Sequence, residues 1–132
     1  HFHVQLLRQF WHTASLSEAR LLGIAPRAKV LVREVILHGN GQAWVFARSI
    51  FPHSSLQGSL RRMGKFDSRP LGAFLFSQTG MRRGPMEVSR FSGVGSTTGT
   101  QDDVWGRRSV FYIDDKPLLV SEVFLPDFIA SL

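Results

Sequence analysis

Two hydrophobic runs meet at Asn40-Gly41, and no other pair of residues in the chain restricts its fold as much. A tight two-residue hairpin turn needs positive φ at both central positions, which Asn and Gly tolerate. VLVREVILHG on one side and QAWVFARSIFP on the other then form two antiparallel strands between Val30 and Pro52. With Asn40 and Gly41 at the tip, Leu37 faces Trp44, Val35 faces Phe46, and Arg33 faces Arg48. Two guanidinium groups opposite each other on one side of a sheet repel. They share that side with Leu31, Val35, Leu37, Trp44 and Phe46, the pattern of a core surface. Either an anion sits between them, or one snorkels to water or meets a carboxylate from elsewhere. Spacing alone leaves both readings open.

A chain of 132 residues is long enough for one domain with a real core. Its hydrophobic fraction of 43% is ordinary for a globular protein. Cysteine is absent, which excludes disulfides and thiolate metal sites. No apolar run approaches the ~20 residues of a membrane span, and no signal-peptide pattern is present, so the expectation is a cytoplasmic protein without stable membrane insertion. The first residue is His1 rather than Met, so the natural start is expected upstream. Net charge is +6, from 13 arginines and 3 lysines against 10 acidic residues. That balance suits nucleic acid or acidic small molecules. No basic run of five and no nucleic-acid motif occurs, and Arg8, Arg20, Arg27, Arg61, Arg62, Arg69, Arg82, Arg83 and Arg90 are scattered. These read as solvated surface, and nucleic acid is not an expected partner.

Phe2 to Phe10 reads as an opening strand. Ser15-x-x-Glu18 is a capping-box pattern and predicts a short helix to Leu22, stopped by Gly23 and Pro26. After Pro52, Ser54 or Ser55 caps a helix to about Met63, with Leu56, Leu60 and Met63 on one face and Gly64 as its stop. Arg69-Pro70-Leu71-Gly72 turns into a second short helix, Leu71 to Phe76, whose first backbone N–H groups could cradle a carboxylate. Met86 to Phe91 reads as a strand. Ser92 to Asp103, rich in glycine and small polar residues, reads as a mobile loop without a phosphate-binding fingerprint.

VWGRRSVFYID and KPLLVSEVFL form a second hairpin around Asp114-Asp115. In that register Tyr112 faces Pro117, Ser109 faces Val120, and Arg107 faces Glu122. Glu122 shares its side with Leu118, Val120 and Phe124, and a carboxylate there is costly unless paired or neutralised. A cross-strand pair with Arg107 and a ligand-facing role are both compatible with this spacing. Strand, hairpin, two helices, strand and hairpin predict an α+β domain spanning 1–132, an antiparallel sheet with helices segregated to one side. The five histidines lack metal-ligand spacing, and neither a nucleophile elbow nor a Walker loop occurs. Two arginines, a glutamate and a helix start suit a small cyclic acid, with cations for a carboxylate and apolar walls for a ring.

The segments VREVILHGNGQAWVFARSIFP, LGAFLF, WGRRS and KPLLVSEVFLP closely resemble the chorismate pyruvate-lyases, from about Phe2 to Pro126. The resemblance implies an antiparallel sheet with flanking helices and a cofactor-free monomer. The reaction it implies turns chorismate into 4-hydroxybenzoate and pyruvate at the start of ubiquinone synthesis. It further implies that Arg33 and the Leu71 backbone N–H hold the ring carboxylate, that Glu122 is the site glutamate, and that Arg48 assists with the enolpyruvyl carboxylate or with binding on the route in or out. An enclosed pocket implies slow product release and product inhibition. The family carries a further N-terminal part that closes over the ligand, to which nothing here corresponds, so the domain reads as N-terminally incomplete. Ligand-sensing domains of GntR-type regulators share this fold, and the alternative it offers is effector binding without chemistry.

Overall fold

The computed structural model describes residues 2–56, 80–91 and 104–125. Asn40 and Gly41 both have positive φ, 54° and 79°, as the mirror-image turn requires. Strands β2 (Lys29–Gly39) and β3 (Gln42–Pro52) leave that turn. Nearest the tip the register is the expected one, with Gly39 opposite Gln42 and His38 opposite Ala43. One step further it changes, because Leu37 pairs with Val45 rather than Trp44. Trp44 is the extra residue of a β-bulge. Its ring lies over Gly39, where an added Cβ would stand 2.3 Å from a ring carbon, so only glycine fits beneath it.

Beyond the bulge every β3 residue sits on the face opposite to the one expected. Arg33 pairs with Ser49, and Arg48 pairs with Glu34. Because neighbouring residues alternate faces, Arg33 and Arg48 lie on opposite sides of the sheet. The expected opposition of two arginines is thus overturned by one inserted residue. Phe46 moves with Arg48, pairing with Ile36 and packing with Val123 and Leu125.

The second hairpin keeps its expected register. Asp114 and Asp115 have φ of 52° and 64°, and they join β5 (Val104–Ile113) to β6 (Lys116–Phe124) with Arg107 opposite Glu122. β3 pairs with β6 and so welds the two hairpins together. β1 (Phe2–Thr13) and β4 (Met81–Phe91) complete an antiparallel sheet in the order β1-β2-β3-β6-β5-β4.

Helix α1 (Leu16–Leu22) starts where the capping box placed it. The Ser15 hydroxyl accepts from the Glu18 N–H at 3.2 Å, and the Glu18 carboxylate accepts from the Ser15 N–H at 3.1 Å. Gly23, at φ 69°, ends the helix in the left-handed conformation. Ala19 and Leu22 pack on Val30, Val32, Ile50, Val110 and Leu119, a fully covered patch of one sheet face. Each of these five strand side chains contributes roughly 1.5–3 kcal/mol by leaving water. The other face carries Leu31, Phe51, Phe111, Ile113 and Leu118, with Leu56 packed against them.

A single 3-10 turn, His53–Ser55, follows β3, and the Ser55 hydroxyl donates to the Pro117 carbonyl at 2.9 Å. The predicted helices to Met63 and from Leu71 to Phe76, the Leu71 amide and the Ser92 to Asp103 loop lie outside the described residues. No helix among the described residues is long and apolar enough to cross a membrane.

Candidate ligand-binding face

Arg33 heads the fully buried side chains in size, at 2% exposure. A guanidinium cannot give up its charge, so a buried one must be balanced by hydrogen-bond acceptors or an anion. Strand pairing shows what shares its face. One row of side chains crosses the sheet as Gln9, Arg33, Ser49, Val120, Ser109 and Met86. The next row runs Leu6, Val35, Ala47, Glu122, Arg107 and Val88. Arg33 and Glu122, separated by 89 positions in sequence, therefore lie on the same face, one row and two strands apart. From strand spacing and rise their backbones are roughly 12 Å apart, an interval that two long side chains can close around one six-membered ring. At the centre, Ala47, Ser49 and Ser109 are small and buried.

Glu122 takes part in the cross-strand pair that its register offered. Its Oε1 accepts from Arg107 Nε at 2.8 Å, with the two side chains 25% and 39% exposed. The Arg107 guanidinium also lies 5.9 Å from the Phe124 ring centroid. A half-exposed pair of this kind adds only about 0.2–1 kcal/mol, so it leaves the carboxylate available for other work.

Arg83 is on this face too and is exposed, as the sequence reads it. It pairs with Phe111, its guanidinium stands 5.3 Å from that ring's centroid, and its NH2 donates to the Ser109 hydroxyl at 3.5 Å. No pattern in the sequence singles it out; only the pairing of β4 with β5 does. Ser109 lies opposite Val120 as the hairpin register predicts, whereas Ser49 reaches this face only through the Trp44 bulge and Gln9 through the pairing of β1 with β2.

Arg48 belongs to a different assembly, beneath α1. Its NH1 donates to the buried Glu34 carboxylate at 2.8 Å and its Nε lies 3.5 Å from Glu18 of the helix. Arg8 meets the other oxygen of Glu34. Arg108, the second arginine of WGRRS, likewise turns to the helix face, reaching Glu87 at 2.6 Å and Ser17 at 2.9 Å. A molecule lying against Arg33 and Glu122 is screened from Arg48 by the sheet itself. Arg48 thus lies on the sheet face opposite to Arg33 and Glu122, and Leu71 is outside the described residues. Among the described residues, no group of three or more His, Asp or Glu side chains is placed to hold a metal ion.

Solved structures of like fold include the C-terminal domain of PhnF, at TM-score 0.75 and 22% identity over 94% of this chain and 82% of that one. A GntR-family transcriptional regulator from Bacillus cereus gives 0.70 and 13% over 96% and 92%. Identities this low establish the shared fold and nothing finer. Sequence relatives are closer. A protein of Pseudomonas aeruginosa named probable chorismate pyruvate-lyase is 40% identical over 126 residues, covering 95% of this chain and 71% of its own length. One of the same name from Marinobacter nauticus is 40% identical over 125 residues, and this chain spans 64% of its length. A third, from Methylobacillus flagellatus, is 38% identical over 133 residues. The family model described as chorismate lyase matches residues 1–131, so the sheet and its Arg33–Glu122 face fall wholly within the match, and the chain belongs to the chorismate lyase family, a family of lyases.

Proposed function

We propose that the protein is a chorismate pyruvate-lyase, converting chorismate to 4-hydroxybenzoate and pyruvate in the cytoplasm, and so supplying the ring for ubiquinone synthesis. The observation that carries this reading is a buried guanidinium and a half-buried carboxylate on one sheet face, their backbones about 12 Å apart. Arg33 binds the ring carboxylate by a charge-assisted hydrogen bond, and the Leu71 N–H donates a second. Glu122 stands at the hydroxyl end of the ring.

The chemistry asks for little else. The proton on the ring carbon bearing the hydroxyl is lost as the neighbouring carbon–oxygen ether bond breaks. The electrons of that C–H bond complete the aromatic ring, and the enolpyruvate leaving group takes up a proton to become pyruvate. Aromatisation supplies the driving force, so the protein's part is to fix the substrate and assist proton movement, for which Glu122 is placed. A dry pocket that holds the planar product as well as the substrate makes product release slow and product inhibition strong.

The fold is also that of GntR-family ligand-binding domains, which offers effector binding without turnover as the second reading. The higher identity to the lyases favours the first. Incubating the full-length protein with chorismate and measuring pyruvate and 4-hydroxybenzoate decides between them. Equal amounts of both are expected; tight binding with no pyruvate would establish the sensor instead.

A further inference from the structure

Chorismate carries two carboxylates, and 4-hydroxybenzoate keeps one. The second sits on the enolpyruvyl group, attached beside the hydroxyl-bearing carbon and therefore at the end of the ring remote from the ring carboxylate. Among the described side chains, three guanidinium groups lie on the candidate face: Arg33, Arg83 and Arg107. Arg107 is engaged by Glu122 at 2.8 Å, and Arg33 is assigned above to the ring carboxylate. Arg83 has no carboxylate partner among the described residues, whereas Arg8, Arg48, Arg82, Arg107 and Arg108 each have one.

Its position fits the remaining charge. Arg83 leans inward from β4 over β5, with Phe111 under it and the Ser109 hydroxyl beside it. Ser109 is in the same row as Ser49, which pairs with Arg33. The two serines lie two strand spacings apart, about 10 Å, with only Val120 between them. Arg83 therefore shares a face with Arg33 and stands exposed on β4, at the opposite side of the described sheet from β1.

We infer that Arg83 binds the enolpyruvyl carboxylate of chorismate and so separates the dianionic substrate from the monoanionic product. This rests on the lyase reading and names the second carboxylate's partner at that same site. Arg83 also gives the cleaved pyruvate an anchor at the rim, next to solvent, while the ring stays behind on Arg33.

The test uses the full-length protein, wild type beside Arg83→Gln and Arg83→Lys, with circular dichroism as a check of folding. KM and kcat are measured with chorismate, and the dissociation constant of 4-hydroxybenzoate by calorimetry. Arg83→Gln should raise KM at least tenfold and leave product affinity within twofold, with Arg83→Lys falling between. An unchanged KM overturns the inference while leaving the lyase reading intact. Equal losses for substrate and product overturn it as well, since they would mark a general electrostatic or structural effect. If wild type binds the product but releases no pyruvate from chorismate, the lyase reading fails and the inference with it, and that failure shows before any variant is made.

Discussion

Arg33 and Glu122 differ in how far they are withdrawn from water, and this sets how each responds to change. A buried charged hydrogen bond to a carboxylate is worth roughly 1.5–3 kcal/mol. Arg33→Ala should therefore raise the dissociation constant of 4-hydroxybenzoate at least tenfold by calorimetry; unaltered binding would remove Arg33 from the ring carboxylate. Glu122, 25% exposed, has little structural work to do with a partner that is itself 39% exposed. Glu122→Gln should keep the melting temperature within a few degrees and lower turnover by about 10²–10⁴. The opposite pattern would return Glu122 to a purely structural pairing: a marked loss of stability that Arg107→Gln largely restores in the double variant. Both residues could be singled out from sequence because each is a charge in an apolar alternation. Arg83 could not, since its importance arises only when two strands from distant parts of the chain are laid side by side.

Among the elements, the central hairpin shows where legibility ends. Turn chemistry located Asn40-Gly41, and capping chemistry located α1, because both depend on residues next to each other in the chain. The bulge at Trp44 depends on packing, a large ring seated over a residue without a side chain, and strict alternation has no means of showing it. The ion network under α1 follows from that bulge. Glu34 is 3% exposed and is shared by Arg8 and Arg48. Arg48→Ala should leave it half satisfied, costing about 1–3 kcal/mol and a fall in melting temperature of roughly 3–10 °C. Product affinity should change less than threefold, because the sheet lies between. A tenfold loss of product binding without loss of stability would put Arg48 back at the ligand.

At the scale of the whole molecule, both edge strands are interrupted. β1 is irregular between Leu6 and Arg8, and β4 between Arg83 and Met86. Bulges on edges oppose the addition of further strands, so sedimentation of the full-length protein should show a monomer; a dimer formed through β1 or β4 would contradict this. The bulge in β3 has a wider consequence. A sheet is written in a code of two, and Trp44 shifts its phase for the rest of that strand and leaves its partner β2 unshifted. Removing Trp44 would restore strict alternation without moving a pair: Val45 would still face Leu37, Arg48 would still face Glu34, and Ser49 would still face Arg33. Keeping Trp44 but flattening the bulge is what would bring Arg48 opposite Arg33 and exchange the strand's two faces. A relative one residue shorter between Gly41 and Val45 would therefore still show the ligand the same side chains, whereas one of equal length without the bulge would not.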